Sequence, residues 1–322
     1  LTIFYQIPRI NARGIKYIAN HRIFVACPEN MRIIMNRKQR RKEMIQDIAP
    51  KKYVNHYEEQ SPAEEDWMLV YRDGKVLCRF DNEKIYFPKV KEITQEDQDV
   101  TYLFTISDER FFLLKNGLDG ELEGYGWEKP VIFRNARPQY RGFAGITGMQ
   151  LFDWYRSNKF CGRCGKSMVP DHKERMVHCE CCGNMVYPKI CPGIIVAVTN
   201  GDKLLLTKYA PAPGRNANYA LVAGFTEIGE TLEETVQREV MEEVGLKVKN
   251  IRYYKSQPWP FSSTLLCGFF CEVDGDTDIT LDTEELAVGE WFDRDNIPVE
   301  DDGVSLTREM IGVFKIGGEK NL

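Results

Sequence analysis

The stretch GFTEIGETLEETVQREVMEEVGL, residues 224–246, constrains the fold more than any other, because it is rich in glutamate and contains no lysine. Thr231 and Glu234 have the T-x-x-E spacing of a capping box, so a helix is expected to begin there. Gly245 can adopt the left-handed conformation that commonly ends a helix. The stretch is therefore predicted to form one helix of about fourteen residues.

With 3.6 residues per turn, the helix is expected to carry its apolar residues on one arc and three of its glutamates on the next. Four apolar residues share one arc: Val236, Val240, Met241 and Val244. Three glutamates share an adjoining arc: Glu239, Glu242 and Glu243. Each like-charged pair costs about 0.2–0.5 kcal/mol in an isolated helix, and only Arg238 offsets this within the cluster. Either this is a solvated acidic face, or the carboxylates hold a divalent cation, for which all-oxygen ligands favour Mg²⁺ or Mn²⁺.

The cysteines form a second pattern, because five of the ten fall between positions 161 and 182. Cys161 and Cys164 make one C-x-x-C pair, and Cys179 and Cys182 make another. Gly165 and Gly183 follow the pairs where tight turns need a permissive residue. Four thiolates around one ion predict a closed, structural zinc site. Cys181 is left outside this set, and the alternative is redox-active or merely buried thiols.

The use of cysteine also bears on location and on other ligands. Clustered thiols without a disulfide pattern favour a reducing compartment, so the protein is expected in the cytoplasm. His172 and His178 could replace a thiol, although a surface imidazole is the expected role of each. A net charge of -5 and a pI of about 5.6 argue against a broadly basic surface. No apolar run approaches the roughly 18 residues of a membrane-spanning helix, so no membrane anchor is expected.

Four regions are predicted along the chain, and the expected fold class is α/β (α+β). Residues 1–45 are an extension of doubtful standing, and residues 46–156 form a sheet-rich domain with hairpins near positions 73 and 108. A helix over 145–160 leads into the zinc ribbon, residues 157–187. The last domain, residues 188–318, is predicted as an α/β sandwich. Its elements are a hairpin around residues 200–202, the acidic helix, strands near residues 250–257, 264–275 and 288–295, and a helix over 305–315.

The glycines and charged residues of the opening stretch have the spacing G-x5-E-x7-R-E-U-x-E-E-x-G-U, where U is aliphatic. This pattern resembles the Nudix box, whose family hydrolyses nucleoside diphosphates linked to another group X. The resemblance implies that an α/β/α sandwich carries the box, and that Glu239, Glu242 and Glu243 bind Mg²⁺ or Mn²⁺. Glu243 would also lie close to the attacking water, and Arg238 would orient the carboxylates. Gly224 and Gly245 would permit the flanking loops.

A second motif, SQPWPF at residues 256–261, follows the box and the four-cysteine ribbon. Together these features resemble the NADH pyrophosphatase subfamily, also called NAD-capped RNA hydrolases. The resemblance implies an aromatic base stacked between Tyr187 and Phe225, with Trp259 contributed across a homodimer interface. It also implies roles for Ser256 and Gln257 in binding substrate. Glu285 would be a further metal ligand, with Glu284 as its rival.

Three classes of function are compatible with these patterns. The first is hydrolysis of NADH or NAD⁺ to nicotinamide mononucleotide and AMP, extended to NAD caps on RNA. Within the enzyme class, ADP-ribose and dinucleoside polyphosphates are alternative substrates; Ser262, where the subfamily usually has proline, leaves base selectivity open. The second is a non-catalytic module that senses nucleotides. The third is a nucleic-acid adaptor using the basic residues around the cysteines: Arg163, Lys166, Lys173 and Arg175.

Overall fold

The computed structural model describes residues 44–94, 98–211, 218–300 and 303–322. The predicted extension, residues 1–45, therefore lies almost wholly outside the described residues. Its last two positions do not behave as an extension, because Met44 is 1% exposed and Ile45 is 3% exposed. Both are members of hydrophobic cores. No helix in the described ranges has the length and apolarity needed to cross a membrane.

A seven-stranded sheet forms the first part of the described chain, with strand order β1-β5-β6-β2-β3-β4 and β7 paired to β3. Strand β2 runs parallel to β6, and the other pairings are antiparallel. Both predicted hairpins are confirmed, as β2–β3 and β5–β6. The strands are β1 Tyr53–Val54, β2 Trp67–Arg72, β3 Lys75–Asp81, β4 Lys84–Tyr86, β5 Val100–Ile106, β6 Glu109–Leu114 and β7 Gly126–Glu128, with 3-10 turns at Val90–Glu92 and Pro130–Arg134.

Helix α1, Gln139–Ser157, packs across this sheet and begins earlier than the predicted residue 145. Its glycines allow the close approach. A Cβ atom at Gly145 would lie 2.3 Å from the Phe133 ring, and one at Gly148 would lie 2.4 Å from Leu69. The Tyr71 hydroxyl donates to the Gly145 carbonyl oxygen at 2.6 Å. The helix is thus held against the sheet by bare backbone as well as by apolar side chains.

The zinc ribbon is a three-stranded antiparallel sheet in the order β10-β9-β8. Its strands are β8 Val169–Pro170, β9 Val177–His178 and β10 Met185–Val186. The ribbon is tied to the loop after β1, because the Tyr57 hydroxyl donates to the Asp171 carbonyl oxygen at 2.9 Å. Arg175 donates to the carbonyl oxygen of Leu103 and lies 5.2 Å from the Tyr57 ring. Arg175, predicted as part of a basic patch for nucleic acid, therefore serves docking of the ribbon instead.

A mixed six-stranded sheet forms the last part of the chain, in the order β14-β15-β11-β12-β16 with β13 paired to β11. Strands β11 and β15 are parallel, and the other pairs are antiparallel. The predicted hairpin, strands and helices are confirmed. The elements are β11 Cys191–Asn200, β12 Lys203–Tyr209, β13 Val222–Phe225, α2 Leu232–Val244, β14 Val248–Trp259, β15 Thr264–Val273, β16 Leu286–Asp293 and α3 Leu306–Lys315, with 3-10 turns at Pro260–Ser262, Arg294–Asn296 and Gly318–Asn321.

The two faces of this sheet are covered by different helices, as the alternation along β11 shows. Ile194, Val196 and Val198 pack in one core with the valines of α2. Ile195 and Ala197 pack in another core with apolar residues of α3. Because successive side chains of a strand point to opposite faces, β11 is buried on both sides. The α/β/α sandwich predicted from the sequence is the observed arrangement.

Candidate active site and metal centres

Helix α2 has the ends that its sequence predicts. The Thr231 hydroxyl oxygen accepts from the Glu234 amide at 3.2 Å, and the Glu234 carboxylate accepts from the Thr231 amide at 2.8 Å. Gly245 closes the helix with φ of 70°. The valines of its apolar arc are fully buried, but Met241 is 42% exposed. The prediction for Met241 is wrong because the helix contacts the sheet along a narrower stripe than the arc assumed.

Arg238 fixes the geometry of the acidic face, because each of its five N–H donors has an acceptor. Nε and Nη2 donate to the two carboxylate oxygens of Glu230 at 2.5 and 2.9 Å. Nη1 donates to Glu239 at 2.8 Å and to Glu242 at 2.9 Å. Nη2 also donates to the carbonyl oxygen of Phe225 at 2.9 Å. The guanidinium thereby joins the loop before the helix, strand β13 and two glutamates of the box.

Glu230 had no individual role in the sequence-based prediction, and the structure supplies one. Its carboxylate accepts from Arg238, from the Glu227 amide at 3.0 Å and from the Thr235 hydroxyl at 3.0 Å. These donors lower the pKa of Glu230 to about 2, with Arg238 as the largest cause. Glu230 therefore remains charged and holds Arg238 in place.

Gly224 lies in β13, directly against Glu239. A Cβ atom at this position would lie 2.0 Å from the Glu239 carboxyl carbon. The glycine was predicted to give the loop its freedom, but its observed function is to leave room for the carboxylate. Gly245 has the predicted function, since its φ is positive.

Glu243 is the most buried carboxyl group of the box, at 4% exposure. Its pKa is raised to about 8, first by burial and then by the charges of Glu239, Glu285, Asp282 and Glu242. No hydrogen-bond donor to this carboxyl group occurs within the described ranges. A buried acid surrounded by other acids and lacking donors is the environment that a hard divalent cation would stabilise.

Sequence reasoning missed Asp282, whose amide donates to the Glu243 carbonyl oxygen at 3.0 Å. This backbone contact brings the segment before β16 against the end of α2. Of the two rivals for the downstream ligand, Glu285 is among the main charges that raise the pKa values of Glu239 and Glu243. The only sequence signal for Asp282 itself was the acidity of the segment around it.

The four predicted zinc ligands are brought together. The Sγ atoms of Cys161 and Cys182 lie 3.6 Å apart, and those of Cys164 and Cys179 lie 3.4 Å apart. Sulfurs about 2.3 Å from a tetrahedral ion would be about 3.8 Å apart, so the thiols fit zinc. Over the described part of the chain, they form the only group of three or more potential metal ligands whose atoms all lie within 4.8 Å of one another. The glutamates are spaced more widely, with two of them bound to Arg238.

The two turns that carry the thiols have the same hydrogen bonds. The Gly165 amide donates to the Cys161 carbonyl oxygen at 2.8 Å, and the Gly183 amide donates to the Cys179 carbonyl oxygen at 2.8 Å. Both glycines have positive φ, at 73° and 69°. Cys181 is exposed and outside the group, as predicted. His172 instead pairs with Glu59, and His178 lies in β9.

The two aromatic residues predicted to hold a base are both exposed. Tyr187 is 53% exposed and precedes β11, and Phe225 is 54% exposed at the end of β13. The Tyr187 hydroxyl donates to Glu174 at 2.6 Å. Phe225 is paired with Gly193 and lies on the face that α3 covers. Gly224 faces the opposite side, where Glu239 lies. The proposed base and metal subsites therefore lie on opposite faces of one short strand.

The motif at the end of β14 is divided between the same two faces. Ser256 pairs with Cys267, a residue of the core under α2. Gln257 is 0% exposed, and its amide nitrogen donates to Gln46 and to the Val304 carbonyl oxygen. Its amide oxygen accepts from the Leu306 amide at 2.7 Å. The amide of Gln257 therefore has its hydrogen bonds within the chain, on the opposite face from Ser256, and its role in binding substrate stays a prediction.

Trp259 contacts residues of its own chain. Its ring lies 4.8 Å from the Phe261 ring, and the Arg134 guanidinium lies 5.2 Å from Trp259 and 5.1 Å from Phe261. Arg134 comes from the turn before α1, so the first sheet's domain reaches the motif directly. Sequence reasoning did not identify Arg134.

Comparison with known families agrees with this architecture. The NUDIX domain model matches residues 189–311, and the model of the NADH pyrophosphatase zinc ribbon domain matches residues 156–187. The chain therefore contains a Nudix domain preceded by a zinc ribbon of the NADH pyrophosphatase type.

The chain is also similar to individual curated proteins. The NAD-capped RNA hydrolase NudC of Enterobacter sp. (strain 638) is 44% identical over 164 residues, which cover 51% of this chain and 62% of that protein. The NAD-capped RNA hydrolase NudC of Shigella dysenteriae serotype 1 (strain Sd197) is 46% identical over 152 residues, covering 47% of this chain and 58% of that protein. The chain thus spans about three fifths of the length of these curated relatives. A solved NUDIX hydrolase from Nitrosomonas europaea has a TM-score of 0.43 and 26% identity, covering 49% of this chain and 90% of that one.

Proposed function

We propose that this protein hydrolyses the diphosphate of NADH or NAD⁺ to nicotinamide mononucleotide and AMP, and that it removes NAD caps from RNA. The observation that carries the proposal is the Glu243 carboxyl group, buried among other acids beside an arginine that uses all five of its donors. A buried carboxylate without hydrogen-bond donors, such as that of Glu243, is costly. This cost is explained if the carboxylates catalyse hydrolysis of a phosphate anhydride.

The residues of this chain have distinct tasks in that reaction. Glu239, Glu242, Glu243 and Glu285 would hold Mg²⁺ or Mn²⁺, which supplies charge neutralisation at the diphosphate and activation of water. Glu243, in its enclosed position, would receive the proton of the attacking water. Arg238 keeps the other two carboxylates of the box from turning away. One phosphorus–oxygen bond of the bridge breaks and the elements of water are added.

The position of Phe225 supports a dinucleotide as substrate. Its ring is on one face of β13, while its carbonyl oxygen is bound to Arg238 on the other side. A base stacked on this ring would extend its diphosphate past the strand toward the glutamates. Tyr187 is also exposed and would enclose the base from the other side. We further propose that Trp259 completes the pocket in a homodimer, and that the protein is cytoplasmic.

The test is to incubate the purified protein with NADH and Mn²⁺ and to measure AMP by chromatography. The wild type should release AMP, and Glu243→Gln should lose at least about 100-fold in kcat. Glu233→Gln is the matched control, because Glu233 is an exposed glutamate in the first turn of the same helix. If the wild type binds Mn²⁺ and NADH but releases no AMP, the nucleotide-sensing alternative replaces this proposal.

A second measurement ranks the substrates. NADH, NAD⁺, ADP-ribose, a diadenosine polyphosphate and NAD-capped RNA are compared at one metal concentration. The proposal predicts the highest kcat/KM for a substrate that contains nicotinamide. A preference for ADP-ribose would contradict the assignment to NAD while leaving the metal chemistry intact.

A further inference from the structure

The first sheet has an open area on which arginines and aromatic rings alternate. We call this area the cation–aromatic stripe, and its members share one face of strands β2, β3, β4 and β7: Arg72, Lys75, Arg79, Lys84, Tyr86 and Trp127. The face follows from register. Leu77 is paired with Trp127 and packs in the smaller core, so Lys75 and Arg79, two positions away on either side, point the same way. Arg79 is directly opposite Tyr86.

The two arginines of the stripe lie against aromatic rings. The Arg72 guanidinium lies 4.2 Å from the Trp127 ring, and that of Arg79 lies 5.7 Å from Tyr86 and 5.1 Å from Tyr125. No carboxylate within the described ranges forms an ion pair with Arg72, Lys75, Arg79 or Lys84. Asp81 is the one acid that shares the face by register, opposite Lys84 at the end of the stripe.

The stripe is accessible. Arg72, Lys75, Arg79 and Lys84 are exposed, and Tyr86 is 39% exposed. An arginine stacked on a ring still presents the other face of its planar guanidinium. Bases of single strands stack on aromatic rings and on arginine planes, while the phosphates contact the charges. An acidic protein surface would use the charges but has no need of the planar rings.

We propose that the cation–aromatic stripe binds single-stranded RNA, the chain that continues from a capped 5′ end. That the bound nucleic acid is RNA rests on the proposed function, whereas the existence of the stripe depends only on the structure of the first sheet. The net charge of the whole protein is -5, so any contact with RNA has to be local.

The test measures fluorescence anisotropy of an uncapped, labelled single-stranded RNA over a range of salt concentrations. The double variant Arg72→Gln/Arg79→Gln should bind about tenfold more weakly or worse, and its log–log salt slope should fall by about 1.4, or 0.7 for each lost phosphate contact. Arg79→Lys should keep the slope and lose affinity, because lysine retains the charge without the plane. Lys247→Gln is the matched control, since Lys247 is exposed and far along the chain in the other sheet's domain.

Three outcomes would overturn the inference. One is an unchanged affinity and salt slope in the double variant, with only its melting temperature lowered, which would mean that the stripe merely covers the small core. Another is equal competition by polyglutamate, which would indicate an acidic protein partner. The third is equally tight binding of duplex RNA. Hydrolysis of NADH is measured on the same variants and should not change, because NADH carries no RNA chain, so failure of the proposed function would be seen separately.

Discussion

At the scale of residues, the acidic site is organised by one arginine and one glycine. Arg238 distributes its five donors among Glu230, Glu239, Glu242 and the carbonyl oxygen of Phe225. Gly224 leaves the space into which Glu239 fits. The like charges that would weaken an isolated helix are therefore tolerated because a fixed, planar cation stands between them.

The planar geometry of Arg238 gives a direct prediction. Arg238→Lys keeps the charge but cannot reach four acceptors with a rigid fork, so the carboxylates lose their orientation. We expect kcat for NADH to fall about 100-fold, with KM nearly unchanged. Steady-state kinetics checks this, with Arg156→Lys on the exposed side of α1 as control. A variant with full kcat would show that the metal alone orients the glutamates.

At the scale of elements, one carboxylate ties the strands of the first sheet to its helix. Glu109, at the start of β6, accepts from the Trp67 indole at 2.8 Å and from the Tyr140 hydroxyl at 2.6 Å. Lys51 donates to it at 3.3 Å, and Arg141 lies 3.6 Å away. Burial alone would raise the pKa of Glu109, but the hydrogen bonds and charges outweigh it, so the pKa is lowered.

This environment predicts how stability depends on pH. Since the pKa of Glu109 is lower in the folded state than its ordinary value of 4.5, the unfolded chain binds more protons below that value. The stabilisation is present above pH 4.5 and is lost as the pH falls through the folded-state pKa. Glu109→Gln should cost about 1–3 kcal/mol of unfolding free energy at pH 7, and this difference should shrink in acid. Urea unfolding at several pH values measures it.

The matched control for this prediction is Glu123→Gln, because Glu123 is exposed in the loop before β7. Its unfolding free energy should stay within about 0.5 kcal/mol of the wild type. A Glu109→Gln difference that is the same at pH 7 and at low pH would show that shape, and not charge, is what the site requires.

At the scale of the whole molecule, two metals would have separate tasks. The four thiols form a closed group within the ribbon, which is attached to the loop after β1 through Tyr57 and to β5 through Arg175. The acidic cluster lies in the Nudix domain and offers only oxygen. Soft and hard ligands select different ions, so loss of one metal should not imitate loss of the other.

Removal of zinc tests this division. Cys164→Ser should lower the midpoint of thermal unfolding by about 5 °C or more, because the ribbon loses its internal support. Zinc content is measured by atomic absorption and unfolding by calorimetry. Cys181→Ser is the control, since this exposed thiol is outside the group. Excess Mn²⁺ should not restore the midpoint; if it does, the two sites are not independent.

Local patterns in the sequence were sufficient to define the elements. The capping box and Gly245 set the ends of α2, the spacing of the cysteines identified the zinc ligands, and the turn around residues 200–202 marked a hairpin. These features depend on neighbours within a few residues or on a fixed spacing, so the sequence determined them without knowledge of the fold.

The tertiary structure decided which side chains can meet. The segment before β16 packs against the end of α2, where it helps to bury Glu243 and brings the charge of Asp282 close to it. The packing of α3 on the sheet buries Gln257, and the narrow contact of α2 with the other face leaves Met241 exposed. The burial of a side chain and the face on which it lies depend on elements that are distant in sequence. A local pattern of residues does not specify which distant element will pack against it.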